Sequence, residues 1–378
     1  QSATPPRPYF GHFPSLFIDT GQTAKPCQET RKITCLSDCA ATGRSLFFTP
    51  DRGKFVTGKS DNAAGERSAV PYWLALIFLV FAAVSWAGSS VAGRAASGNV
   101  PPFTLSFVRW SLVMVCFLMV GGGETWRQRH LIIQNWGLLS AFGLFGVVGF
   151  TVPYYVGLQY TVAVNASLMN ASGTIWIVMT AFLMTGELIS KKQAVGITLG
   201  FFGTLAIVLK ADLSLLSGFS INMGDILVLV GFFSWAVYTV MLRWKPPELT
   251  EMAFLTSLTI FAVLMMFPLY LIDLWRGVSF EINVDNTIII GYAVIFPSFL
   301  SYIVWNKAVP VVGASVAGMA QYLIPIFGVT LSVLLLGESI KPYHIAGIVV
   351  IFIGVWLVTS GRRPESANKT TAGETDER

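Results

Sequence analysis

Ten apolar runs follow one another between residues 71 and 360, and each is 17 to 24 residues long. A helix of about 20 apolar residues crosses the roughly 30 Å hydrocarbon core of a bilayer. Charged residues make up only 12% of the chain, whereas soluble domains carry about 25%. Ten such runs leave too little polar surface for a soluble fold, so the sequence predicts an all-α integral membrane protein with ten transmembrane helices.

Several connectors between the runs are only a few residues long, so consecutive helices are expected to be antiparallel neighbours. The predicted helices are residues 72–92, 102–121, 135–158, 164–185, 193–209, 224–242, 252–272, 286–305, 313–336 and 343–360.

Two segments of the chain occur twice, in the same order. VSWAGSSVAGR at residues 84–94 matches FSWAVYTVMLR at 233–243, a shift of 149 residues. TGELISKKQAVGITLGFFG at 185–203 matches LGESIKPYHIAGIVVIFIG at 336–354, a shift of 151. The polar linker 211–222 separates the copies and adds no membrane crossing. Because each copy has an odd number of helices, the sequence predicts two five-helix repeats that insert with opposite orientation.

The two predicted repeats occupy residues 71–210 and 223–361. The halves of an inverted repeat can exchange conformations, and this opens a midplane site first to one side of the membrane and then to the other. The pattern therefore favours a transporter. A purely structural duplication, or an enzyme or receptor built on one, is the alternative.

Four features together resemble the EamA-type branch of the drug/metabolite transporter superfamily. They are FVRW at residues 107–110, Gly-Glu after the fourth and ninth helices, QYLIPIFGVTLSVLLLGE at 321–338 and IAGIVVIFIGVWLV at 345–358. The resemblance implies a ten-helix exporter or exchanger of small metabolites, often amino acids, with a central cavity formed by both halves. It implies no family-wide catalytic motif. An N-terminal segment of 70 residues departs from the family pattern.

Polar and aromatic side chains at similar predicted depths are the candidate substrate-binding residues. Pro and Gly interruptions at corresponding places in two halves mark a transporter site, and Pro153, Pro297 and Pro325 lie within predicted helices. An amide in hydrocarbon needs a partner, so Asn170 and Gln321, equivalent at the shift of 151, are expected to face the interior, where they bind substrate or tie helices together. The candidates are Trp86, Ser89, Ser90, Tyr154, Tyr155, Asn170, Ser172, Trp176, Trp235, Tyr238, Tyr302, Gln321 and Tyr322.

Arg109 is the charge predicted to lie within hydrocarbon, about two turns into the second helix. An ionisable group there is a functional candidate. It either binds a substrate carboxylate, or it extends to the outer interface or binds carbonyls of a neighbouring helix. No Asp or Glu is predicted near mid-depth, so facilitated transport or exchange is expected rather than a carboxylate proton relay. Glu187 and Glu338, at helix ends beside Gly, are expected to act in turns or gating.

The ends of the chain differ from the apolar region. Residues 1–70 lack hydrophobic periodicity and are expected to be disordered. The first residue is Gln1 rather than Met, which is consistent with a fragment or with upstream sequence joined to the reading frame. Residues 362–378 form a polar tail. The three cysteines within 27–39 match no common zinc spacing, so no metal site is predicted.

Basic residues are concentrated in the loops on one predicted side of the membrane, so both termini are expected in the cytoplasm and the protein in the cell (inner) membrane. The expected partners are a small-molecule substrate and the lipid bilayer. Neither a cofactor nor nucleic acid is expected, and the chain is predicted to be a monomer or homodimer.

The predicted substrates are small neutral or zwitterionic metabolites, with amino acids or related compounds first. An exporter of drugs or lipophilic compounds is the alternative, because the candidate residues are mostly aromatic and uncharged. A nucleotide-sugar carrier would need more basic residues than Arg109 in its cavity. A membrane-embedded enzyme is less favoured, since no pair of nucleophile and base is apparent, and a channel is a further alternative. No enzyme activity is predicted.

Overall fold

The chain divides into two compact units, Gln1–Ala69 and Val70–Arg378. The structure is a computed structural model, and it describes residues 18–19, 44–49, 54–59, 70–95, 101–161, 163–212, 222–277, 284–337 and 339–360.

The first unit contains a three-stranded sheet formed by β1 (Ile18–Asp19), β2 (Arg44–Thr49) and β3 (Lys54–Lys59). β3 lies between the other two strands, antiparallel to β2 and parallel to β1. Phe48 pairs with Phe55 across β2 and β3, and aromatic residues of this kind favour strands. The expectation of disorder throughout residues 1–70 is therefore corrected for these three segments.

The described part of the second unit contains ten helical segments at the positions predicted from the sequence, and a short helix, Arg129–Gln134, precedes the third. In chain order they are α1, Tyr72–Ala95; α2, Pro102–Arg127; α3, formed by Trp136–Gly143, Leu144–Val148 and Gly149–Gly157; α4, formed by Ala163–Ala171 and Gly173–Thr185; α5, Lys191–Val208; α6, Met223–Met241 with Leu242–Trp244; α7, Glu251–Trp275; α8, formed by Val284–Val294, Ile295–Leu300 and Ser301–Val312; α9, formed by Ala314–Met319, Ala320–Tyr322 and Leu323–Leu336; and α10, Pro342–Ser360.

Nine of these segments in the described residues are long and apolar enough to cross a membrane. The remaining one, α5, is a helix of 18 residues that opens with Lys191, Lys192 and Gln193. Large apolar side chains such as Met119, Leu183 and Leu334 are exposed on the outside of the unit, as expected where helices face lipid. The prediction of an all-α membrane protein built from two inverted five-helix repeats is confirmed for this unit.

Two π-helical turns occupy equivalent positions in the two repeats. Leu144–Val148 interrupts α3 and Ile295–Leu300 interrupts α8, and a shift of 151 residues relates their first positions. Gly146 in the first turn corresponds to Pro297 in the second. A π-helical turn inserts an extra residue into the helix and changes which side chains face a given neighbour. Both repeats therefore reorient the second half of their third helix at the same point.

Helices α5 and α10 are equivalent in the two repeats and pack together through glycines. A Cβ added to Gly196 would lie 2.5 Å from the carbonyl oxygen of Gly354, and one added to Gly354 would lie 2.6 Å from that of Gly196. Gly203 and Gly347 form a second pair, in which an added Cβ would lie 2.7 to 2.9 Å from the opposite carbonyl. The glycines that revealed the duplication therefore allow the two helices to approach closely.

A buried carboxylate fixes the start of α6 against the end of α3. Asp225 is fully buried and accepts hydrogen bonds from the Thr161 hydroxyl, from Asn165 Nδ2 at 3.1 Å and from the backbone N–H of Asn222 at 3.0 Å. Asn222 in turn accepts from the Asp225 N–H, so the two residues form a reciprocal helix cap. Close approach of Gly157 and Gly224 backbones joins the same two helices.

Candidate functional site

A cavity of ≈ 130 Å³ lies between the two repeats, and side chains of seven helices line it. The first repeat contributes residues from α1, α2, α3 and α4, and the second from α6, α8 and α9. The lining residues are Trp86, Ser89, Arg109, Trp110, Phe150, Thr151, Tyr154, Tyr155, Asn170, Phe232, Trp235, Pro297, Tyr302, Gln321 and Ile324.

Aromatic rings from both repeats form one continuous wall of this cavity. The Trp86 and Trp235 rings, which are equivalent in the repeat, meet edge to face with centroids 5.5 Å apart. Trp235 also lies 5.7 Å from Phe150 and 5.6 Å from Tyr302, and Tyr302 lies 5.0 Å from Trp110. These separations are typical of favourable aromatic pairs. The wall gives a bound molecule an apolar, polarizable surface.

Arg109 carries the one charge among the described lining residues. Its Nη1 donates to the Tyr155 hydroxyl at 2.6 Å, and its Nε and Nη2 both donate to the Ser298 hydroxyl at 2.9 and 2.6 Å. Tyr155 belongs to α3 and Ser298 to α8. The guanidinium is thus held between the helices by one residue from each repeat.

Pro297 explains why Ser298 is placed to accept from Arg109. Proline has no N–H, so the carbonyl of Ala293, four residues earlier, lacks its α-helical donor. The Ser298 hydroxyl donates to that carbonyl at 2.7 Å, and its lone pairs then face Arg109. The carbonyl of Pro297 itself accepts from Trp86 Nε1 at 3.0 Å. One proline therefore determines the positions of both the charged and the aromatic parts of the cavity wall.

Two polar atoms that line this cavity, Ser89 Oγ and Gln321 Oε1, are buried and make no hydrogen bond in the described structure. A buried acceptor without a partner is unfavourable. Gln321 Oε1 lies so close to Gly173 of α4 that a Cβ there would be 2.1 Å away. Both atoms are therefore unsatisfied within the wall of the cavity.

The structure brings most of the sequence-predicted candidates together. Trp86, Ser89, Tyr154, Tyr155, Asn170, Trp235, Tyr302 and Gln321 line the cavity, as does Arg109. The side chain of Ser90 lies outside the described residues.

Four candidates lie elsewhere. Ser172 and Trp176 line a separate, mostly apolar cleft formed by α4, α5 and α6, where Trp176 Nε1 donates to Ser172 Oγ at 3.2 Å. Tyr238 is fully buried behind the aromatic wall, and its hydroxyl accepts from Asn306 Nδ2 at 2.7 Å. The ring of Tyr322 packs on Gly200 of α5. Apolar sequence around these positions gave no indication of which side of the helix faces the cavity.

Sequence reasoning missed several residues of the site, including Trp110, Phe150, Thr151, Phe232 and Ser298. Thr151 is equivalent to Tyr302 at the shift of 151, and its hydroxyl accepts from Trp110 Nε1 at 3.1 Å. The repeat itself could therefore have identified Thr151. Nothing in the sequence marks Phe150 or Phe232 among the many other phenylalanines.

In the part of the chain that the structure describes, no group of three or more His, Cys, Asp or Glu side chains is arranged to hold a metal ion. The cavity instead combines one cation, a few neutral polar groups and an aromatic wall, and residues of both repeats enclose it. Together with the membrane-spanning helices, this arrangement defines the class of protein: a membrane transporter of small molecules.

Comparison with known proteins gives the family. A model of the EamA-like transporter family matches residues 73–209 and again residues 222–360. The chain therefore belongs to the EamA-like transporter family, and the two matches coincide with the two repeats.

Curated relatives are also named as transporters. The uncharacterized transporter YyaM of Bacillus subtilis (strain 168) is 28% identical over 269 residues, which cover 70% of this chain and 86% of the relative. An uncharacterized transporter of Archaeoglobus fulgidus is 29% identical over 293 residues, covering 75% of this chain and 96% of the relative. A crystal structure matches with a TM-score of 0.65 at 17% identity, over 77% of this chain and 98% of that one. This last likeness establishes the fold alone.

Proposed function

We propose that this protein is a secondary transporter that moves amino acids or related small metabolites across the cell membrane by alternating access. The observation that carries the proposal is the cavity lined by equivalent helices of both repeats. Two inverted halves that share one site can expose it to each side in turn. We further propose that both termini lie in the cytoplasm, in agreement with the positions of the basic loops.

Contacts at the ends of the helices are suited to act as gates. The Asp225 carboxylate joins the start of α6 to Thr161 and Asn165 at one end of the bundle. Ser315 at the start of α9 donates to Glu187 after α4, at 3.4 Å. Each contact joins one repeat to the other. In the proposed cycle, these contacts break and form alternately while the cavity residues hold the substrate.

The dimensions of the cavity favour a small metabolite over a drug. Its volume of ≈ 130 Å³ is below the range of about 300–1,000 Å³ that is usual for sites of drug-sized ligands. No carboxylate is among its described lining residues, which supports exchange or facilitated transport over a proton relay through an acidic side chain in the cavity.

Counterflow in proteoliposomes tests the proposal. Vesicles containing the purified full chain are loaded with a mixed panel of amino acids and small metabolites, and uptake of each labelled compound is followed without an ion gradient. A carrier accumulates label transiently with its own substrate and not with unrelated compounds. A conductance or leak without counterflow would instead indicate a channel, and the absence of both would contradict transport of the panel.

A further inference from the structure

The hydrogen bonding of Arg109 in the cavity indicates which chemical class of substrate the site binds. This inference rests on the proposed function. Three N–H groups of its guanidinium donate to two neutral hydroxyls, those of Tyr155 and Ser298. A guanidinium has five N–H donors. Two donors are therefore left without a protein acceptor in the described structure, on a side chain that lines the cavity.

No described carboxylate neutralises this charge. Lys245 and Glu251 form an ion pair, but neither residue lines the cavity. Hydroxyl groups orient a guanidinium but do not cancel its charge, and a cation away from water without a counter-charge is unfavourable. An anionic group on the bound molecule would supply both the missing charge and acceptors for the two remaining donors.

The other residues that line the cavity favour a molecule with a single small anionic group and an apolar body. One guanidinium balances one negative charge, and the described lining contains no second cation. The apolar side chains of Trp86, Phe150, Phe232, Trp235 and Ile324 also line the cavity. A polyanion such as a nucleotide would therefore leave charge unpaired against aromatic rings. A monocarboxylate with an apolar body matches both parts of the surface.

We propose that Arg109 binds the carboxylate of the transported compound, so that the preferred substrates are small monocarboxylates with an apolar body. Amino acids with apolar side chains belong to this class. Their ammonium group meets neutral polar side chains, such as that of Asn170, and aromatic faces, so it contributes less to binding than the carboxylate does. Ser298 and Tyr155 are positioning residues for the guanidinium.

Four compounds that share one apolar skeleton separate the contributions of the two charged groups. Leucine carries both groups, 4-methylpentanoate lacks the ammonium, leucinamide lacks the carboxylate charge, and isoamylamine lacks the carboxylate altogether. Dissociation constants are obtained from thermal stabilisation of the purified full chain, and counterflow is measured with the same compounds. Leucine and 4-methylpentanoate are expected to bind at least about tenfold more tightly than leucinamide and isoamylamine.

Variants then assign the preference to Arg109. In Arg109→Gln the affinity for 4-methylpentanoate is expected to fall about tenfold or more while the affinity for isoamylamine is little changed. Arg109→Lys keeps the charge but loses the planar fork, so it should retain part of the preference, and it provides a second test where the glutamine variant folds poorly. Ser298→Ala should lower the affinity for carboxylates more than that for the amine. The exposed Arg276 provides the matched control, Arg276→Gln.

The outcomes separate this inference from the proposed function. Equal binding and counterflow of isoamylamine and 4-methylpentanoate would overturn the carboxylate site while transport stands. If none of the four compounds binds or exchanges but another panel compound shows counterflow, the substrate class is wrong and the transporter assignment survives. Chloride is varied at constant ionic strength, and stabilisation by chloride through Arg109 without any by carboxylates would assign the site to a free inorganic anion and overturn the inference.

Discussion

The indole Nε1 of Trp86 donates a hydrogen bond of 3.0 Å to the carbonyl oxygen of Pro297. The bond joins α1 of the first repeat to the π-helical turn of α8 in the second. The centroid of the Trp86 ring also lies 5.2 Å from that of the Trp305 ring, which belongs to α8. Because Pro297 also determines the position of Ser298 beside Arg109, this bond links the aromatic wall of the cavity to its charged part.

Replacing Trp86 by Phe keeps an aromatic surface but removes the N–H that reaches Pro297. We expect a loss of about 1 kcal/mol in stability, the usual net value of a hydrogen bond, and slower counterflow. Melting temperature and initial counterflow rate are the measurements. Trp126→Phe is the matched control, since Trp126 is exposed at the end of α2, where the Arg129 guanidinium lies over its ring. Equal behaviour of the two variants would contradict the assigned role.

Disturbing the glycine contact between α5 and α10 is expected to lower stability without changing substrate affinity. A Cβ at Gly196 would lie 2.5 Å from a backbone oxygen, so Gly196→Ala must push the helices apart, at a cost of about 1–3 kcal/mol. A lower melting temperature with an unchanged substrate dissociation constant is expected. Gly137→Ala, at a helical position with open space around it, should lower neither the melting temperature nor the affinity. A variant at Gly196 as stable as wild type would show that the close approach is not essential.

Loss of the Asp225 hydrogen bonds is expected to loosen the structure locally, at one end of the bundle. Asp225→Asn keeps the shape of the side chain but loses an acceptor that the Asn165 amide and the Asn222 N–H share. Leaving such donors unsatisfied costs about 1–3 kcal/mol. Amide hydrogen exchange should therefore speed up in peptides containing Thr161 and the start of α6. Glu248→Gln, at an exposed side chain, is the control. Unaltered exchange in the Asp225 variant would show that its hydrogen bonds do not hold this end of the bundle together.

Asn170 and Gln321 are equivalent in the repeat, and both line the cavity. Their replacement by Ala should raise the substrate concentration needed for half-maximal counterflow by about three- to tenfold, the effect of one lost hydrogen bond. Melting temperatures should change little, since Gln321 Oε1 makes no bond in the described structure. Ser172→Ala serves as the comparison, because Ser172 lies in the separate apolar cleft. If all three variants transport equally well, the two amides are not part of the site.

The sequence was sufficient for the architecture of the membrane unit. Runs of about 20 apolar residues must form helices in lipid, because each backbone polar group needs a partner within its own segment. Two matches at a nearly constant shift were enough to divide these helices into inverted halves. The isolated charge of Arg109 and the paired amides of Asn170 and Gln321 stood out against apolar neighbours, and all three line the cavity.

Which face of each helix turns inward was decided by tertiary structure alone. Membrane helices are apolar around most of their circumference, so hydrophobic periodicity does not mark an inner face. The π-helical turns at Gly146 and Pro297 then change the facing side in mid-helix, which directed Thr151 and Tyr155 into the cavity, while Ser172 on α4 faces the apolar cleft. The sequence by itself thus determined ten helices, their duplication and the charge of Arg109 among them. The packing of the two halves determined the surroundings of that charge, because its partners, Tyr155 and Ser298, lie 46 and 189 residues away along the chain.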